Sequence, residues 1–146
     1  MQKLFLILLS FFLLSFTPRW EMNLTNAQKT AAAEKKFILL NFSGSDWCGP
    51  CIRMHKEIFS SDSFSGLAES SLVLVNADFP RQKKNQLSKA QQEENDHMAE
   101  SYNRNGFFPY TLLLNAEGKI IKSWEGYPKG GAQTLVKEIK DAISTQ

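Results

Sequence analysis

Two cysteines, the only two in the chain, stand three positions apart in Trp47-Cys48-Gly49-Pro50-Cys51. Thiol–disulfide exchange needs one sulfur that ionises easily and a second near enough to resolve the mixed disulfide. The pair lies between an apolar, strand-like run and a helical one, so it is expected at a helix start. Unpaired N–H groups and the positive end of the helix dipole favour a thiolate there. The closing turn brings both sulfurs to one end of one helix. With no third cysteine, the pair bridges either to itself or to a partner. A bridge closing so short a loop removes little unfolded-state entropy, so a structural staple explains it poorly. The chain reads as a redox protein that needs no bound cofactor.

The elements that must position this pair follow from the pattern of apolar residues. Phe37–Phe42 is a short continuous apolar run, expected as a strand buried on both faces, and Leu72–Ala77 is a second. Between them Met54, Ile58 and Ile52 suggest a helical apolar face running to Ser60. Ser61-Asp62-Ser63 then caps a short helix with Phe64, Leu67 and Ala68. Asn23–Lys36, with Ala31-Ala32-Ala33 at its centre, reads as a capped, solvent-washed helix. From Phe79 to Asp96 the chain is polar and charged; its simplest reading is a solvated helix or loop, with a partner-docking surface as the alternative. His97–Tyr102 continues as helix until Asn105-Gly106. Tyr110–Leu114 and Lys119–Trp124 form a hairpin, and Ala132–Ser144 is an amphipathic helix with Leu135, Val136, Ile139, Ala142 and Ile143 inward. The fold class is α/β, a mixed central sheet with helices on both faces.

The N-terminus differs in kind. Lys3 precedes Leu4–Phe16, a 13-residue run broken only by Ser10 and Ser15. As a helix it would reach about 20 Å, against a hydrocarbon core of about 30 Å. Residues 1–17 are therefore expected to be a signal peptide, with an uncleaved anchor as the alternative, and residues 18–146 a single domain. Export to the periplasm or beyond the cell follows. No cysteine follows the apolar run, which excludes a lipid-anchored cysteine there. Without Lys3, the 17 basic residues become 16 against 15 acidic. That balance gives no reason to invoke nucleic acid or an anionic membrane surface.

Over about Thr25 to Ser144 the chain resembles the thioredoxin superfamily. Three features carry the resemblance: Trp47-Cys48-Gly49-Pro50-Cys51, Phe108-Pro109 before the third long strand, and Gly126 after the last. The stretch Cys51–Ser60 followed by Asp62 is most similar to the periplasmic C-terminal domain of transmembrane disulfide-interchange reductases, and also resembles stand-alone exported thioredoxin-like proteins. The resemblance implies a thioredoxin-like fold and gives the residues roles. Cys48 is the expected nucleophile, with a pKa below the free-thiol value of about 8.5, and Cys51 the resolving thiol. Trp47, Gly49, Pro50, Phe108 and Pro109 would contact substrate. Trp47 supplies an apolar wall, Gly49 lets a substrate chain approach, and Pro50 limits the freedom of the loop. Pro109, if cis, would present the Phe108 peptide to an extended substrate segment.

The chain also departs from the family. The buried Asp that thioredoxin carries six positions before its first cysteine is Phe42 here, with Asn41 adjacent and one extra residue in the Ser43–Asp46 loop. His55, one turn after Cys51, stands where the related reductase domain has Glu; it could tune the thiols or be a partly exposed helix residue. Tyr110 replaces the usual Thr after the proline. Phe107, Phe108 and Tyr110 could form an apolar rim or belong to the core.

The function implied is an exported thiol–disulfide oxidoreductase, reducing because Gly-Pro inside the motif resembles thioredoxins, while strongly oxidising relatives often have Pro-His. Such a reductase would act as a monomer, with oxidised client proteins and a membrane or other thiol electron donor as partners. Three alternatives remain open at this level: a disulfide isomerase or oxidase, a zinc site from Cys48, Cys51, His55 and His97, and a non-catalytic peptide-binding module using Phe108 and Tyr127.

Overall fold

The computed structural model describes residues 18–146; the leader expected over residues 1–17 lies outside them. A two-residue strand, β1 (Trp20–Glu21), opens the described chain and was not expected from the sequence. Next come α1 (Leu24–Glu34), β2 (Phe37–Ser43), α2 (Gly49–Met54) and α3 (Asp62–Ser71), then β3 (Leu72–Asp78) and α4 (Lys89–Tyr102). The hairpin β4 (Tyr110–Leu114) and β5 (Ile120–Glu125) and the closing helix α5 (Gly131–Ser144) complete it. No helix among the described residues is long and apolar enough to cross a membrane.

The sheet runs β1-β3-β2-β4-β5. Strands β1, β3 and β2 are parallel, whereas β4 pairs antiparallel with β2 and β5 antiparallel with β4. Alternation along the strands sends side chains to two cores. Leu39, Leu74 and Leu113 meet Met54, Ile58, Phe64, Leu135 and Ile139 on one face. Ile38, Leu40, Phe42, Val73, Val75 and Leu112 meet Ala27, Ala31 and Met98 on the other. The α/β architecture with helices on both faces is thus the expected one.

Local chemistry sets the element ends. Asn23 caps α1 by accepting from the Asn26 N–H at 2.8 Å, and Lys35 closes it in the left-handed region at φ 55°. Of the three central alanines only Ala31 is buried. After Met54 the helix widens into a π turn over His55–Phe59, a form that recurs beside functional sites. Ile52 was expected inward and is instead 47% exposed. Cys51, Met54 and Ile58 define the inward face, and Ile52 points about 100° away from Cys51.

The charged stretch after Phe79 is largely exposed, as expected, and divides into a loop and a helix. Its second half is helix from Lys89, with Lys89 and Glu93 paired at 3.9 Å across one turn. Its first half is a loop with one tight turn at Lys83–Asn85, tied back to the cysteine motif.

Candidate redox site

Cys48 and Cys51 sit where β2 ends and α2 begins, bridged to each other with Cα atoms 5.2 Å apart. Cys48 is the N-cap of α2, and the Cys51 N–H donates to its Sγ at 3.3 Å. That donor and the helix start both favour negative charge on the Cys48 sulfur once the bridge opens. Pro50 falls in the first turn, where its missing N–H leaves no gap in the helical ladder. Both cysteines are nearly buried, Cys48 at 4% exposure being slightly the more open residue and Cys51 at 1% the more enclosed. Gly49 is exposed, with open space where a side chain would project.

The wall beside Cys48 is aromatic. The Trp47 indole N–H donates to the Phe79 carbonyl at 2.7 Å, and its ring meets Phe108 edge-on at 5.4 Å. Phe79 meets Phe108 in turn at 5.6 Å. The Phe108–Pro109 peptide is cis, and Gly126, at φ 72°, donates its N–H to the Pro109 carbonyl at 2.9 Å. The three features that carry the family resemblance therefore meet in one place. Upstream, Asn103 accepts from the Phe107 N–H and donates to the Phe107 carbonyl, each at 2.9 Å, fixing the segment that enters the cis bond. Phe108 itself has no hydrogen-bond partner for its N–H or C=O among the described residues. Phe107 is exposed and Phe108 half-buried, whereas Tyr110 stacks on Phe42 and belongs to the core side.

Beneath α2 the sheet is polar. Asn41 lies in register between Asn76 on β3 and Thr111 on β4. It donates to Asn76 Oδ1 at 3.0 Å and accepts from the Thr111 hydroxyl at 3.0 Å. Ser43 donates to Asn76 at 3.2 Å and lies within 3.2 Å of Asp78 Oδ1 as well. An amide row thus stands on the sheet face that carries α2, and Asn41, not a carboxylate, is its centre.

His55 is half-buried between Trp20, at 5.4 Å, and Phe59, at 5.2 Å. Burial pushes its pKa below the usual 6.5, against the opposing pull of Asp78 and Asn76. His97, by contrast, is on α4, which packs on the opposite face of the sheet, with its side chain 80% exposed near Glu100. The four residues of the zinc alternative therefore do not converge, and no group of three or more His, Cys, Asp or Glu among the described residues could hold a metal ion. Tyr127, offered for peptide binding, is engaged elsewhere: its hydroxyl donates to Glu57 at 2.6 Å and the Arg53 guanidinium lies 4.3 Å over its ring.

Two acids outside the sequence motif hold the site together. Asp78 accepts from the Ser45 N–H at 2.9 Å and the Ser45 hydroxyl at 2.5 Å, fastening the loop before the cysteines to the end of β3. Asp46, inside that loop, accepts from the N–H groups of Arg81 and Gln82 at 2.9 Å each and from the Asn85 amide at 2.9 Å. The Arg81 N–H, then the Asn85 amide, hold the Asp46 carboxyl below its usual range. Asn41, Ser43, Asn76 and Asp78 do leave a sequence signal: polar residues at alternate positions where two apolar strands end. The pairing of Asp46 with Arg81 leaves none.

Known proteins agree with this geometry. A family model described as a thioredoxin-like domain matches residues 24–143. The chain is 34% identical over 125 residues to "Disulfide bond reductase DsbH" of Chlamydia pneumoniae, covering 86% of this chain and 72% of that protein. A solved structure titled "DsbH Oxidoreductase" superposes with a TM-score of 0.78 at 31% identity, covering 88% of this chain and 85% of its own. The oxidised C-terminal domain of DsbD from Neisseria meningitidis shares the fold, with a TM-score of 0.56 at 14% identity over 80% of this chain and 90% of that domain. This chain belongs to the thioredoxin-like family, as an oxidoreductase related to the disulfide reductase DsbH, with Cys48 and Cys51 as its C-x-x-C pair.

Proposed function

We propose that this chain reduces protein disulfides outside the cytoplasm by dithiol–disulfide exchange. The observation that carries the reading is the position of Cys48 as N-cap of α2, with a backbone N–H on its sulfur. In the reduced protein the Cys48 thiolate attacks one sulfur of a client disulfide. A Cys48–client S–S bond forms, the client S–S bond breaks, and one client sulfur leaves as thiolate. Cys51 then gives up its proton, and its sulfur attacks Cys48 Sγ. The mixed disulfide breaks and the second client thiolate leaves. The client gains two electrons and two protons; the protein ends with the Cys48–Cys51 bridge, which a dithiol electron donor must reopen.

The surface beside Cys48 suits a polypeptide client. The free N–H and C=O of Phe108 offer main-chain pairing to an extended segment, beside the Phe108 ring and the Arg81-capped Trp47, with Gly49 allowing close approach. Pro50 keeps the cysteine turn short, and Pro109 sets the edge of the groove. Export rests on Lys3 and the apolar run Leu4–Phe16. Since exported compartments oxidise thiols, electrons must come from a membrane or other thiol donor.

Insulin reduction with dithiothreitol as the electron source tests the reading. Wild-type protein should accelerate it catalytically, and Cys48→Ser should abolish turnover. Cys51→Ser should accumulate mixed disulfides with clients that Cys48→Ser does not form. The reverse trapping pattern would overturn the assignment of the attacking sulfur.

A further inference from the structure

We propose that the loop Phe79–Gln86 is a cationic docking lip that favours client disulfides flanked by carboxylates; this rests on the reductase reading above. Four observations combine. First, the loop is built against the cysteine motif and not merely near it. Asp46, two residues before Cys48, accepts both N–H groups at Arg81 and Gln82, while the Gln82 amide donates back to the Asp46 carbonyl at 3.2 Å. Asp78, at the other end of the same loop, holds Ser45. Each acid clasps the other's loop, so the lip has a defined place beside Cys48.

Second, the Arg81 guanidinium lies 3.6 Å from the centroid of the Trp47 ring. Stacking engages the flat face of the cation and leaves its in-plane N–H donors available to a carboxylate. Third, Arg81, Lys83 and Lys84 are all exposed, and none belongs to an ion pair among the described residues. Asp46 is held as an anion by the loop's neutral donors and offsets one of these three charges. Fourth, the guanidinium carried by α2 itself is already engaged. Arg53 is paired with Glu57 at 3.3 Å and packed on Tyr127. Arg81, Lys83 and Lys84 therefore gather unpaired positive charge on the Trp47 side of the motif.

Charges of this kind act chiefly on encounter and selectivity, and salt screens them. The occupant is thus an acidic polypeptide segment carrying a cystine, lying across Trp47.

The test uses pre-reduced protein and three cystine peptides identical except for flanking Glu, Gln or Lys residues, with exchange rates read by acid quench and chromatography. At about 20 mM salt the Glu-flanked peptide should react about ten-fold faster than the Lys-flanked one, and about 500 mM salt should shrink the ratio to near unity. The double variant Lys83→Glu/Lys84→Glu should invert the preference. Equal rates for all three peptides at low salt, or a wild-type ratio retained in the double variant, would overturn the lip while leaving the reductase reading intact. Failure of every peptide to react would overturn that reading, and the lip with it.

Discussion

Asn41 donates its amide N–H to Asn76 Oδ1 at 3.0 Å, tying the central strand β2 to β3 directly under the helix that carries the cysteines. Its own Oδ1 is the acceptor for the buried Thr111 hydroxyl. Replacing it by Leu leaves that hydroxyl without a partner in a closed core. Asn41→Leu should therefore cost about 1–3 kcal/mol of stability in urea unfolding. Adding Thr111→Val removes the stranded hydroxyl and should recover part of the loss. A double variant that only adds the two single losses would contradict the pairing.

His55 makes stability depend on pH in a direction the structure determines. Its ring is held neutral by burial, so the unfolded chain binds the proton first, near the usual pKa of 6.5. The stabilisation is complete above that value and is lost as the pH falls through the lower folded pKa. Asp46, Glu57 and Glu138 act in the same sense, but only from about 4.5 downward. Urea midpoints should therefore fall between about pH 7.5 and about pH 5.5, and His55→Gln should flatten that segment. An unchanged slope in His55→Gln would remove His55 from the account.

Gly44 is required by the Trp47 indole, since a methyl group there would fall inside the ring system. The indole cannot swing away cheaply, being held by Phe79, Phe108 and Arg81. Gly44→Ala should cost about 1–3 kcal/mol, shift the tryptophan fluorescence, and lower kcat/KM for insulin several-fold. Wild-type fluorescence and turnover in this variant would show that the wall is not held as described.

Much of this molecule is legible in its sequence. Strands β2 and β3 read from the apolar runs Phe37–Leu40 and Leu72–Val75, where both faces are covered, and α5 reads from its amphipathic period. Cys48, Cys51 and Pro109 carry local signatures that survive without a structure. What is not legible is contact between distant segments. Asp46 meets Arg81 across 35 positions, and nothing in the run Phe79–Asp96 announces that its first half would be fastened to the cysteine loop. Strand β1 is two residues long and too short for any period, yet its Trp20 covers His55. Ile52 fails for a different reason: one position after Cys51, it lies off the inward stripe of Cys51, Met54 and Ile58 and faces solvent.

The direction of electron flow is the centre of this account, and the midpoint potential of the Cys48–Cys51 couple tests it most directly. Gly49 and Pro50 between the cysteines, and the relation to a disulfide reductase, place the expected value near thioredoxin's, about −270 mV. Equilibration with glutathione and dithiothreitol buffers, read by alkylation of free thiols, gives the number. A potential close to about −120 mV, the range of a strong disulfide donor, would contradict a reducing role.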